Sequence, residues 1–309
     1  MRNRILDFSQ QGGYLKLHLG NLVLIRNGKE IAGIPIEDIA VVILANPETV
    51  ITQSVLAALM KQNVAVVICG SNKMPAGMSM SLWGNYIQTE RFRHQIEASK
   101  PVRKRLWRQI VQVKVRMQGR LLAALHGDDH GLTALVGIVT SGDTGNIEAR
   151  AARKYWANLF KEYDFKRDVN AEDQNRMLNY GYAILRSVVA RSLCASGLHL
   201  SLGLHHCNRY NPFVLADDIM EPFRPLVDYR VVKCVQDIGA GSPLDSQVKK
   251  ALIGGILSTY RYQKEERTLF DWLNRVSSTL VAVFEGRGRK LFIPELLQPV
   301  DCNEPSIRV

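Results

Sequence analysis

The sequence predicts an α+β protein, with an N-terminal β-rich, sandwich-like domain over residues 1–72 and a larger all-α C-terminal domain over 86–309. Two patterns predict it. Up to about position 70 the apolar residues alternate or come in short unbroken blocks, as strands do. Beyond position 86 they recur at helical spacing, i, i+3 and i+4. A third observation separates the two. Lys73 to Gly84 (KMPAGMSMSLWG) is rich in Met, Gly and Ser and carries neither period, which marks 73–85 as a linker.

Taken in order, Tyr14–Leu19 alternates apolar and polar residues like a half-buried strand, and Asn21–Arg26 follows it. Asn27-Gly28 is a tight-turn signal before the strand Lys29–Pro35. Ile39–Leu44 is a continuous apolar run suited to a strand buried on both faces. Thr49–Gln62 has helical spacing through Val50, Val55, Leu56, Leu59 and Met60, and Asn63–Gly70 closes the domain as a further strand. His18 falls on the polar face of its strand, which suits a solvated residue better than a ligand.

Past the linker, Tyr86 to about Leu125 reads as one or two helices interrupted at Ser99-Lys100-Pro101, with Leu106, Ile110, Val113 and Met117 forming an apolar stripe. Ser141–Trp156 starts with Gly, Asp and Thr and runs into alanines, a helix start that places Glu148 in the first turns. There a carboxylate favours the helix dipole, and the small neighbours would also let it face a cleft. Glu172–Gly197 is a helix with Leu178, Tyr182, Leu185, Val189 and Leu193 inward. Pro225–Ile238, Asp245–Arg261 and Leu269–Glu285 are three more, and the tail from Gly286 is basic and then proline-bearing.

Composition bounds the function. The chain has 309 residues, 46% hydrophobic and 22% charged, which suits a globular protein with a full core in one large or two ordinary domains. No stretch approaches the roughly 20 apolar residues of a membrane span, and Met1–Asp7 lacks a signal-peptide run. The five cysteines (69, 194, 207, 234, 302) form no CxxC pair, which points to reduced thiols and a cytoplasmic protein. Net charge is +11 with a pI near 9.5. Most of that excess lies between Tyr86 and Arg120, where ten basic residues face two acidic ones. A charge run is ordinarily a solvated helix face, but this density suits contact with nucleic-acid phosphates without reading of sequence. Arg91, Arg93, Arg103, Lys104, Arg105 and Arg108 are the candidate contacts.

The stretch Leu204–Arg224 concentrates the chemistry: His205 and His206, then Asp217, Asp218 and Glu221, then Arg224, in an apolar frame. On a helix Asp217 and Asp218 lie four and three residues before Glu221, so their side chains are neighbours and repel unless a cation joins them. Arg224 or a metal ion would serve. A surface helix with an acidic first turn explains the carboxylates equally well, and the histidines tip the reading toward a mixed N/O metal site.

GDTGNIEARAARKYW, LNYGYAIL and GLHHCNRYNPFVLADDIMEPFRPLVD occur in that order. Together they resemble the CRISPR-associated integrase family, the first-numbered and most widespread Cas protein, in its type II-like form. The resemblance implies a metal-dependent DNA endonuclease and integrase that inserts short foreign DNA fragments into a CRISPR array through 3′-OH attack on a phosphodiester. It implies Glu148, His206 and Glu221 as catalytic metal ligands. His206 matches the family pattern of Gly, two residues, then His, as in Gly203-Leu204-His205-His206. Many members have Asp where Glu221 stands. Asp218 occupies a commonly acidic position, as an auxiliary ligand or a structural group. Two carboxylates and an imidazole suit Mg2+ or Mn2+. The resemblance further implies double-stranded DNA as partner, a homodimer formed through the β-rich domain, the second Cas protein of the adaptation pair, and other type II CRISPR proteins, with no membrane. A branched-DNA nuclease that does not integrate and a non-catalytic basic scaffold are the competing readings.

Overall fold

The computed structural model describes residues 3–71 and 74–296. Its N-terminal part contains β1 (Arg4–Phe8), β2 (Tyr14–His18), β3 (Asn21–Arg26), β4 (Lys29–Pro35), β5 (Ile39–Leu44), β6 (Val50–Ile51), α1 (Gln53–Lys61), β7 (Ala65–Cys69) and β8 (Pro75–Ser79). They form two four-stranded sheets. One has the order β1-β5-β7-β8, parallel except for β8, and the other the order β4-β3-β2-β6, antiparallel except for β6. Leu6 and Phe8 of β1, Leu15, Leu22, Leu24 and Ile34 of the second sheet, and Val55 and Leu59 of α1 share one apolar core.

The first sheet is buried on both sides. Leu6, Val42 and Val66 face that core, whereas Ile5, Val41, Ile43, Ala65 and Val67 join a larger core with the helices. This is why β5 is an unbroken apolar run rather than an alternating one.

The helical part comprises α2 (Gln88–Glu97), α3 (Lys100–His126), α4 (Leu132–Val136), α5 (Ile147–Leu159), α6 (Gln174–Ala195), α7 (Val214–Met220), α8 (Arg224–Ile238), α9 (Ser246–Leu257) and α10 (Leu269–Phe284). The central helix is α6, which packs against α7, α8, α9, α10 and the sheet strands β5 and β7. Gly181 lets α8 approach, since a Cβ there would lie 2.4 Å from Val227 Cγ1. Helix α3, 27 residues long, ends at Gly127 in the left-handed region (φ 77°). Its inner face carries Leu106, Trp107, Ile110, Val111 and Val115.

Three expectations change, and one strand is added. Residues 75–79, expected within a structureless linker, form β8, which pairs antiparallel with β7 and completes its sheet. Val50 and Ile51 form β6 beside β2, so the helix expected from Thr49 begins only at Gln53. Arg4–Phe8, not assigned in the sequence, is the edge strand β1. The C-terminal part is helical except for a hairpin of β9 (Thr259–Tyr262) and β10 (Glu265–Thr268), where the helix expected through Arg261 stops at Leu257. Gln263 turns that hairpin at φ 54°. Asn72 and Lys73 at the expected domain boundary, Cys302, and the end of the proline-bearing tail lie outside the described residues. No helix among the described residues is long and apolar enough to cross a membrane.

Candidate active site

Glu148 owes its position to a cap. The chain enters α5 through Asn146 in the left-handed region, and Asp143 reaches forward to the first turn. Asp143 Oδ1 accepts the Ile147 N–H at 2.9 Å and Oδ2 accepts the Glu148 N–H at 2.9 Å, satisfying two N–H groups that no helical carbonyl can reach. The cap therefore fixes the turn that carries the Glu148 side chain.

His206 is held from the opposite side. Asp218 of α7 is fully buried, and its carboxylate gathers the histidine loop. Oδ2 accepts the N–H groups of Leu204 (2.6 Å) and His205 (3.1 Å), and Oδ1 accepts that of His206 (3.4 Å). Oδ1 also stands 2.5 Å from His206 Nδ1. Gly203 is required at the loop's start, because a Cβ there would sit 2.7 Å from His206 O and 3.1 Å from Asp218 Oδ2. The Asp218 hydrogen bond is the main cause that raises the His206 pKa. Partial burial opposes it, and the charges of Asp218, Glu221 and Glu148 add to it. A ring bonded through Nδ1 leaves Nε2 for a ligand. His205 instead stacks on Trp107 of α3, ring centroids 4.3 Å apart and planes within 2°, so its role is packing.

Glu221 begins the 3-10 turn Glu221–Phe223 that links α7 to α8, and Pro222 forces that break in the helix. It is buried and flanked by two cations. Arg224 Nη2 is 3.0 Å from Oε1 and Lys114 Nζ is 2.6 Å from Oε2. The same Lys114 Nζ lies 2.6 Å from Glu148 Oε1, so one ammonium bridges the two carboxylates. Burial alone would push the Glu221 carboxyl up, but Arg224 and Lys114 outweigh it and hold it below its ordinary value. Burial likewise opposes the charge on Lys114, and Glu221 and Glu148 overcome it, holding the ammonium's pKa above the ordinary lysine value.

Behind Arg224 lies a second buried network. Its guanidinium sits over the Tyr182 ring at 4.8 Å. Tyr182 donates its hydroxyl to Asp228 Oδ1, and Tyr155 of α5 donates to Oδ2 at 2.6 Å. Burial pushes Asp228 up to about 6 despite these two donors.

The sequence therefore names neighbours. Glu148 and Glu221 meet at one cation, and His206 feels the charge of both. Among the described residues no three His, Cys, Asp or Glu side chains gather into a group that could hold a metal ion directly. Instead, an ammonium stands between two of the carboxylates. The donor set nonetheless fits a divalent ion. The place between Glu148 and Glu221 already holds a positive charge, and Glu221 Oε2 meets Lys114 without a directed hydrogen bond. The donors are carboxylate oxygens and one imidazole nitrogen, the set that Mg2+ and Mn2+ accept. Sequence reading missed Lys114 by placing it on the solvated face. Its spacing, four residues after Ile110 and three before Met117, puts it on the apolar stripe, where a charge needs partners.

A family model described as "CRISPR associated protein Cas1" matches residues 7–239. The chain belongs to the Cas1 family. It is 38% identical to the "CRISPR-associated endonuclease Cas1" of Neisseria meningitidis serogroup C (strain 8013), over 93% of this chain and 95% of that protein. Among solved structures, a casposase bound to integration product is similar with a TM-score of 0.74 and 19% identity, covering 99% of this chain and 96% of that one. A Cas6-RT-Cas1–Cas2 complex contains a chain similar with a TM-score of 0.76 and 19% identity, covering 94% of this chain and 36% of that longer polypeptide.

In this Cas1 chain the six basic candidates separate by position. Arg93, Lys104 and Arg108 are exposed. Arg91 donates to Ser196 O at 3.1 Å and pairs with Glu285 at 3.4 Å, tying α2 to the end of α6 and to α10. Arg103 donates to the carbonyls of Gln95 (3.2 Å) and Ile96 (3.1 Å) at the end of α2 and also lines the cavity beside His206. Arg105 is half-buried, its Nε without a hydrogen-bond partner. Arg91 and Arg103 thus have structural employment that their charge did not reveal. Arg116 and Arg120, counted in the same basic window, pair with Glu295.

Proposed function

We propose that the chain is a metal-dependent DNA endonuclease and integrase that inserts short DNA fragments into a CRISPR array. The observation that carries it is the meeting of Glu148 and Glu221 around one cation, beside a histidine that Asp218 orients. Membership in the Cas1 family and the likeness to a casposase bound to integration product support the same reading.

Glu148, Glu221 and His206 Nε2 would hold Mg2+ or Mn2+. When bound, such an ion supplies Lewis acidity at a phosphodiester oxygen and lowers the pKa of the attacking hydroxyl. The chain's own residues do the rest. Asp218 keeps the His206 ring turned, Asp143 keeps Glu148 on the first turn, and Arg93, Lys104 and Arg108 hold phosphates along α2 and α3. In integration the 3′-oxygen of the fragment forms a new bond to phosphorus, and the bond from phosphorus to the array strand's 3′-oxygen breaks. No side-chain nucleophile takes part, so no covalent enzyme–DNA intermediate forms.

Double-stranded DNA, a second copy docked through the β-rich domain, the second Cas protein of the adaptation pair and other type II CRISPR proteins complete the proposed assembly. The similar chain in the Cas6-RT-Cas1–Cas2 complex favours the second Cas protein as a partner. A fragment with a free 3′-OH and supercoiled array DNA test the activity, with Glu148→Ala as control. Strand joining by the wild type alone supports the proposal. Cleavage without joining would reduce it to a branched-DNA nuclease.

The pairing of both carboxylates with Lys114 and Arg224 also favours a second reading, a basic DNA-binding scaffold whose acids serve only as counterions. Calorimetric titration of Mn2+ into wild type and His206→Ala decides between them, since a scaffold shows no difference between the two.

A further inference from the structure

Lys114 is a buried cation at the centre of the site, and nothing in the proposed chemistry accounts for it. Its Nζ is 2.6 Å from Glu148 Oε1 and 2.6 Å from Glu221 Oε2, and Arg224 holds the remaining Glu221 oxygen at 3.0 Å. Two carboxylates are thus matched by two cations. Asp218 is spent on three backbone N–H groups and the His206 ring. The protein alone has already balanced the charge that a divalent ion would be bound to neutralise.

We propose that Lys114 makes divalent-metal binding conditional on DNA, by holding the place between Glu148 and Glu221 until a phosphodiester supplies the negative charge that a metal needs. This rests on the reading of Glu148, His206 and Glu221 as metal ligands. Adding a divalent ion beside Lys114 and Arg224 leaves the group of Glu148, Glu221, Lys114 and Arg224 with two positive charges in excess, and charge repulsion at these separations is large where water is scarce. DNA removes the conflict, because its phosphates draw the flexible ammonium away and neutralise the excess. The coupling is reciprocal: if DNA tightens metal binding, metal tightens DNA binding by the same factor. A chain built this way keeps a hydrolytic ion out of its site until a substrate strand is in place.

Calorimetric Mn2+ titrations at fixed ionic strength, with and without a short duplex bearing a 3′-OH, test the inference on wild type and on Lys114→Met. The wild type gains at least about tenfold in Mn2+ affinity when the duplex is present. Lys114→Met binds Mn2+ at least about tenfold more tightly than wild type without DNA, and the duplex then adds little. Thermal unfolding supplies a second readout, in which Lys114→Met melts below wild type without metal and recovers when Mn2+ is added. If Lys114→Met does not fold, Lys114→Gln removes the charge while keeping a donor, and the wild-type comparison needs no variant. Equal wild-type affinity with and without DNA overturns the inference while leaving the metal site standing. Absence of Mn2+ binding in every protein, with or without DNA, removes the metal reading and the inference together.

Discussion

Asp218 Oδ1 stands 2.5 Å from His206 Nδ1, and the same buried carboxylate receives the backbone N–H groups of residues 204 to 206. One side chain therefore sets both the path of the loop and the rotation of the ring. Replacing it with Asn keeps the size but turns an acceptor oxygen into a donor. Asp218→Asn is expected to lose about 10–100-fold in Mn2+ affinity, measured by calorimetry with DNA present. Asp218→Ala should in addition lower stability by about 1–3 kcal/mol, because buried loop N–H groups lose their acceptor.

The Asp218 contact raises the pKa of the His206 ring. Its folded pKa lies above 6.5, chiefly through the Asp218 hydrogen bond. The stabilising contribution of that pair is complete below 6.5 and fades as pH rises through the raised folded value. Metal ligation needs the neutral ring, so Mn2+ affinity should climb across the same interval, with a midpoint above 6.5. In Asp218→Asn the midpoint should move to lower pH. A midpoint that does not move would show that this bond does not control the ring.

Asp228 gives the same sign at lower pH. Its carboxyl is pushed up to about 6 from 3.8, so between those values the folded chain binds more protons than the unfolded one, and stability falls as pH rises. Relative to wild type, Asp228→Asn should become more stable by about 2–3 kcal/mol on going from pH 4 to pH 7. Denaturant unfolding at both values measures it.

The basic helices can be sorted by salt dependence. Arg93→Ala, Lys104→Ala and Arg108→Ala each remove an exposed charge and should weaken binding to any duplex, lowering the slope of log K against log salt by about 1 apiece. Arg91→Ala and Arg103→Ala should act mainly on melting temperature, because Arg91 secures α2 to Ser196 and Glu285 and Arg103 of α3 donates to the last carbonyls of α2.

Gly203→Ala tests the loop independently of charge. The added Cβ would fall 2.7 Å from a backbone oxygen that cannot move without carrying His206 with it. Mn2+ affinity should drop while far-ultraviolet circular dichroism stays that of the wild type.

Elements whose burial follows one simple period were legible in the sequence. β2, β3, β5, α6, α8 and α10 stand close to where periodicity puts them. The misses share a cause: each depends on pairing with another strand rather than on a period of its own. Pro75–Ser79 is too rich in Gly, Met and Ser to announce a strand, and only the waiting edge of β7 makes it one. Thr259–Tyr262 does alternate with aromatics, but it follows a helix directly and was absorbed into it. In the site, motif resemblance named Glu148, His206 and Glu221 without saying how they are held. The answers lie in Asp143, Asp218 and Lys114. Asp143 and Asp218 accept backbone N–H groups from loops whose course no local pattern reveals. The buried cation of the site was hidden among nine others in a stretch whose charge invited a surface explanation.

Helix α3 presents Lys104 and Arg108 outward and carries Trp107 and Lys114 inward. Lys104 and Lys114 are ten residues apart on one uninterrupted rod, about 15 Å along its axis. The outer face proposed to meet DNA and the ammonium wedged between the two acids therefore belong to a single element.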